Sequence, residues 1–79
     1  MEMKEFLQEV AKQIEERLDG VKAIPTESMK YNGVIQNGVA IRMNDQKISP
    51  ILYLDLMYQR YKKGDLSIPE IVKRAIKEY

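Results

Sequence analysis

The 79-residue chain has no cysteine, no histidine and no tryptophan. Without cysteine there are no disulfides, thiolate nucleophiles, iron–sulfur clusters or Cys-ligated zinc sites. Without histidine the commonest general base and the commonest metal ligand are gone, and no Ser-His-Asp triad can be assembled. Long apolar runs are missing too. The longest, Ile51-Leu52-Tyr53-Leu54, falls far short of the roughly 18 residues a membrane span needs. The opening Met1-Glu2-Met3-Lys4-Glu5 lacks the basic-then-apolar pattern of a secretory leader. These absences predict a cytoplasmic chain in a reducing compartment, away from the membrane, with no cofactor and no metal. The 12 acidic groups, the 5 tyrosines and the lysines remain for proton transfer, and all are ordinary surface residues. The composition therefore points away from an enzyme. A reaction run by tyrosine, lysine and carboxylates alone is the least favoured reading.

A chain this short forms one domain over residues 1–79. Domains of this size bury only about 60 to 65% of their unfolded surface, so stability is marginal and a partner matters. The net charge of +1 conceals an asymmetry: residues 1–20 carry three basic and six acidic groups, residues 56–79 six basic and three acidic. Either the basic end faces an acidic partner, or the two ends pack together and cancel each other's field; the second reading is preferred.

Met3, Phe6, Leu7, Val10, Ala11, Ile14 and Leu18 recur at the spacing that gathers one face of a helix, which predicts a first helix within residues 1–20. Gly20 suits its end, and Lys4, Gln8, Lys12 and Glu15 form its solvated face. From Val21 to Leu54, Val, Ile, Thr and Tyr become common and alternation replaces the helical period, as in a small antiparallel sheet. Ile35, Val39, Ile41 and Met43 share one strand face, with Gln36, Ala40 and Arg42 on the other. Asn32-Gly33 and Asn37-Gly38 are both type I′ turn candidates. Choosing the first sets Ile24 opposite Ile41, leaves Gly38 for a bulge or a close approach, and puts Pro25 on an edge strand. Ser49-Pro50 reads as a helix start or as part of a short third strand; the extended reading is preferred, with Asp55 capping a helix over residues 56–63 that Gly64 ends. Leu66-Ser67-Ile68-Pro69-Glu70-Ile71 combines a capping box with a hydrophobic staple and starts a last helix. Its apolar face is Ile68, Ile71, Val72, Ala75, Ile76 and Tyr79, and Glu70 stands four residues before Arg74.

Lys30-Tyr31-Asn32-Gly33, the segment from Ser49 to Leu54 and the Tyr-x-x-Tyr-x-x-Gly stretch from Tyr58 to Gly64 resemble, in this order, an uncharacterised domain-of-unknown-function family of gut Clostridia. Members of that family often stand at the N-terminus of larger proteins. The resemblance runs over nearly the whole chain and implies a helix, a hairpin-based sheet and two C-terminal helices. It implies no catalytic residue. The chain departs from the family pattern at Met57, where an aromatic often precedes the tyrosine, and in its basic second helix.

Tyr58-Gln59-Arg60-Tyr61-Lys62-Lys63 mixes aromatic and basic groups as nucleic-acid surfaces do. Leu54, Tyr58 and Tyr61 also have the spacing of a buried helix face, the preferred reading, and a pI of 7.9 argues against nucleic acid. Glu15 with Glu16, or Asp45 with Asp55, do not make a convincing carboxylate pair: neighbours on a helix diverge, and nothing in the sequence joins the two aspartates. Gly33 and Gly38 are followed by strand, not by the helix of a phosphate loop. Met29, Tyr31, Met43, Tyr53 and Met57 exceed what so small a core can hold, so some of them form an apolar patch between sheet and helices.

The expected fold is α+β: an N-terminal helix, a two- or three-stranded antiparallel sheet and two C-terminal helices on one sheet face. The expected function is non-enzymatic binding of a protein partner or of a second copy. The candidate surface is the sheet edge with Met29, Tyr31, Met43, Tyr53, Met57, Tyr58, Arg60, Tyr61, Lys62 and Lys63. The alternative is a small inhibitor from a phage or mobile element that occludes a larger enzyme.

Overall fold

The computed structural model describes residues 1–43 and 47–77, apart from the side chains of Met29 and Tyr31. The order is α1 (Met3–Arg17), β1 (Lys22–Tyr31), β2 (Val34–Arg42), β3 (Leu52–Tyr53), α2 (Asp55–Lys62) and α3 (Ile68–Lys77). The three strands form one antiparallel sheet with β2 in the middle. Helix α1 packs across β1 and β2, α3 packs against α1, and α2 reaches β2.

The apolar spacing of α1 buries Phe6, Leu7, Val10, Ala11 and Ile14. The helix ends at Arg17, before the expected Gly20: Leu18 is already extended, and Gly20, with φ 74°, turns the chain toward β1. On the sheet, Ala23, Val39 and Ile41 join the same core as the α1 residues, Leu54, Leu66, Ile68, Ile71, Val72 and Ala75. Burying about 15 such side chains supplies the main driving force for folding. The first and last helices, α1 and α3, pack against each other.

Asn32-Gly33 forms the hairpin turn, with φ of 51° and 80° and Tyr31 paired to Val34. The expected Ile24–Ile41 pairing is displaced by one residue: Ala23 faces Ile41 and Ile24 faces Ala40. The shift arises between Thr26 and Met29, where Glu27 and Ser28 of β1 stand opposite Asn37 alone. Ser28 takes a left-handed φ of 55°, and its N–H donates to Asn37 Oδ1 at 2.8 Å. The bulge therefore lies in β1, and Gly38 serves the close approach. A Cβ there would sit 2.2 Å from the Leu52 carbonyl oxygen and 2.9 Å from Ile51 Cγ2.

The 48–53 segment forms no helix: Ile48 bridges Arg42, and Leu52–Tyr53 form β3. Ser49 starts no helix; its N–H donates to the Ile41 carbonyl and its Oγ accepts from the Ile41 N–H, so it pairs with β2 as a strand residue would. Helix α2 begins one residue early, at Asp55, and Asp55 does not cap it. Its carboxylate instead accepts from the Asn37 N–H at 2.9 Å and from Asn37 Nδ2 at 2.8 Å, while the Leu54 N–H donates to the Asn37 carbonyl. One asparagine thus joins the β1 bulge, the central strand and the start of α2.

Gly64, with φ 82°, ends α2: its N–H donates to the Tyr61 carbonyl and that of Asp65 to the Arg60 carbonyl, a Schellman pattern. Ser67 starts α3 as the sequence predicts. Its Oγ accepts from the Glu70 N–H, and its hydroxyl donates to the Glu70 carboxylate. Leu66 and Ile71, the expected staple, are both buried. Tyr79 lies outside the described residues.

Candidate interaction surface

Alternation along the strands sorts the sheet into two faces. The side of Ala23, Val39 and Ile41 meets the helices. The other side carries Lys22, Ile24, Thr26, Val34, Gln36, Gly38, Ala40 and Arg42, joined by Tyr53 opposite Gly38 and Ile48 opposite Arg42. None of the described helices covers this second face. Gly38 is buried there against the crossing 51–52 segment and Ala40 is buried as well, but Ile24, Tyr53 and Ile48 remain 36, 39 and 62% exposed. Leu56, on the first turn of α2, is 76% exposed. Gln36 Oε1 is buried on this side without a hydrogen-bond partner among the described residues.

The free edge of β1 is largely closed. In an antiparallel pair alternate N–H groups point away from the partner strand. The outward N–H of Ala23 donates to Glu15 Oε2 at 2.9 Å, so Glu15 is more than part of a solvated helix face. Pro25, two residues on, has no N–H, and the bulge follows. Proline and a bulge are common means of keeping an edge strand from recruiting another chain. Edge strand β3 has only two residues.

The sequence-predicted surface divides. Tyr53 and Met43 are exposed, as are Arg60, Lys62 and Lys63. Met57, Tyr58 and Tyr61 are half-buried against the core. The Phe6 ring lies 4.9 Å from that of Tyr58 and 5.4 Å from that of Tyr61, both tilted, and the Tyr58 hydroxyl donates to the Met1 carbonyl at 2.6 Å. Lys62 Nζ sits 5.3 Å above the Tyr58 ring, a cation–π contact. The aromatic members of the 58–63 run thus close the end of the core between α1 and α2. The side chains of Met29 and Tyr31, and Asp45 altogether, lie outside what is described. Sequence reasoning missed Ile24, Ile48 and Leu56. Alternation marked Ile24 as a strand residue, but only the bulge decides which neighbour it receives, and nothing in the chain marked the whole face as uncovered.

Surface depressions run along single helices, one lined by Glu9, Lys12, Gln13, Glu16 and Arg17 and another by Glu70, Lys73, Arg74 and Lys77. Among the described residues no three His, Cys, Asp or Glu side chains converge, and no helix is long and apolar enough to cross a membrane.

These features define a small α+β domain with its helices gathered on one side of a three-stranded antiparallel sheet. A family model described as a family of unknown function, DUF5688, matches residues 3–79, and the chain belongs to that family. No curated protein and no solved structure matches it.

Proposed function

We propose that this chain is a non-enzymatic interaction module that docks a protein partner, or a second copy of itself, on the sheet face left open by the helices. The observation that carries the reading is the exposure of Ile24, Tyr53 and Ile48 together on that face. Contiguous exposed apolar side chains rimmed by polar ones are the usual mark of a binding surface. The closed β1 edge moves the contact from strand addition to side chains on the face. A reducing, cytoplasmic setting suits a chain without cysteine. An inhibitor that occludes a larger enzyme would use the same flat face, and a gene neighbourhood of phage or mobile-element genes would favour that version.

Light scattering combined with affinity capture from the native lysate tests the proposal, with an Ile24→Ser/Tyr53→Ser double variant as control. The wild-type chain is expected to self-associate or to retain a defined protein that the variant releases. A strictly monomeric chain whose captured proteins are unchanged by the double substitution would overturn it.

A further inference from the structure

We propose that the occupant of the open sheet face is an acidic segment of a partner protein, with carboxylates placed next to apolar side chains. The inference rests on the interaction reading above and specifies the partner's chemistry. The β1–β2 register places Lys22 directly opposite Arg42. Both neighbour core-facing residues, Ala23 and Ile41, so both project to the open side, and both are exposed. Like charges directly opposite on a sheet repel each other. Neither side chain has an ion-pair partner among the described residues. Among the described residues no acidic side chain shares the face: the other described positions there are Ile24, Thr26, Val34, Gln36, Gly38, Ala40, Ile48 and Tyr53. Four of the chain's 12 acidic groups, Glu5, Glu9, Glu15 and Glu16, lie on α1, on the far side, where Glu15 is bonded to the edge of β1.

The face is thus a cationic pair at one end of an apolar strip. A carboxylate bound there satisfies the planar Arg42 guanidinium through two parallel hydrogen bonds and relieves its repulsion with Lys22. Apolar side chains of the same segment cover Ile24, Ile48 and Tyr53. A nucleic acid would need a track of cations and stacked rings, whereas this face offers two cations and Tyr53 among its described side chains.

Selection from a random-peptide display library on the full chain tests the proposal, with a Lys22→Glu/Arg42→Glu variant as counter-target. Both positions are exposed, and circular dichroism verifies that the variant folds. Enriched peptides are expected to combine carboxylates with apolar residues and to bind the variant at least about tenfold more weakly, a loss of about 1.4 kcal/mol. Their affinity should fall with added salt. Bound to the wild type, they should shift the NMR signals of Ile24, Ala40, Arg42, Ile48 and Tyr53. Neutral or basic peptides mapping to the same face would overturn the acidic partner and leave the interaction reading standing. Peptides that map elsewhere, or no enrichment, would sink both. Tighter binding of a single-stranded oligonucleotide or of anionic phosphatidylserine vesicles to this face would also overturn the proposal.

Discussion

Asn37 has more structural consequence than any other polar side chain described. Its amide accepts from the Ser28 N–H and donates to Asp55, while its backbone N–H and carbonyl bond Asp55 and Leu54. Asn37→Ala would leave the bulge N–H and one carboxylate oxygen without these partners, and the expected cost is about 2 kcal/mol. A fall in the urea midpoint with an unchanged slope would verify it. Ser28 is the converse case. A left-handed backbone costs a non-glycine residue about 1 kcal/mol, and among the described residues the Ser28 hydroxyl has no hydrogen bond to offset it. Ser28→Gly is therefore expected to raise stability by a few tenths to about 1 kcal/mol in the same titration, the gain being reduced by the freer unfolded chain.

The elements with local causes were legible in the sequence. The α3 start needs only Ser67, Glu70 and the Leu66–Ile71 contact, all within six residues of one another, and it forms where expected. Removing its cap by Ser67→Ala is expected to cost about 1 kcal/mol, measured by thermal or chemical unfolding. The Asn32-Gly33 turn was legible only as one of two candidates: positive φ at two successive residues selects an Asn-Gly dipeptide, and the chain has two. Strand register was not legible. Two turns compete in the sequence, and the bulge that fixes the pairing of Ile24 is built from Glu27 and Ser28, which carry no bulge signature. It is held by an asparagine nine residues away. The role of Asp55 was misread for the same reason. A helix-start aspartate looks like a cap, but its partner lies 18 residues back in the chain.

A molecule this small has a single core, and Phe6 stands at its closed end, fully buried and in contact with the Tyr58 and Tyr61 rings. Phe6→Ala is expected to cost about 3 to 5 kcal/mol, comparable to the whole stability of a small domain. Calorimetry should show a weak or absent unfolding transition, whereas Phe6→Leu should keep a cooperative one at lower temperature. The open face follows from where the helices pack. Helix α1 covers one side of the sheet, α3 packs on α1 and α2 turns Tyr58 and Tyr61 onto the same core, so none of the described helices lies on the other side.

Taken alone, the sequence determined the α+β class, the lack of thiol and imidazole groups and the approximate course of the helices, and it narrowed the hairpin turn to two Asn-Gly dipeptides. These follow from composition and from contacts within a few residues, for which the chain itself is the whole environment. Only the tertiary structure decided which strand residues oppose each other, that the 58–61 tyrosines turn inward, that the β1 edge is closed, and that Ile24, Ile48 and Tyr53 share an uncovered face with Lys22 and Arg42. Each depends on groups far apart in sequence, brought together only when the core is packed.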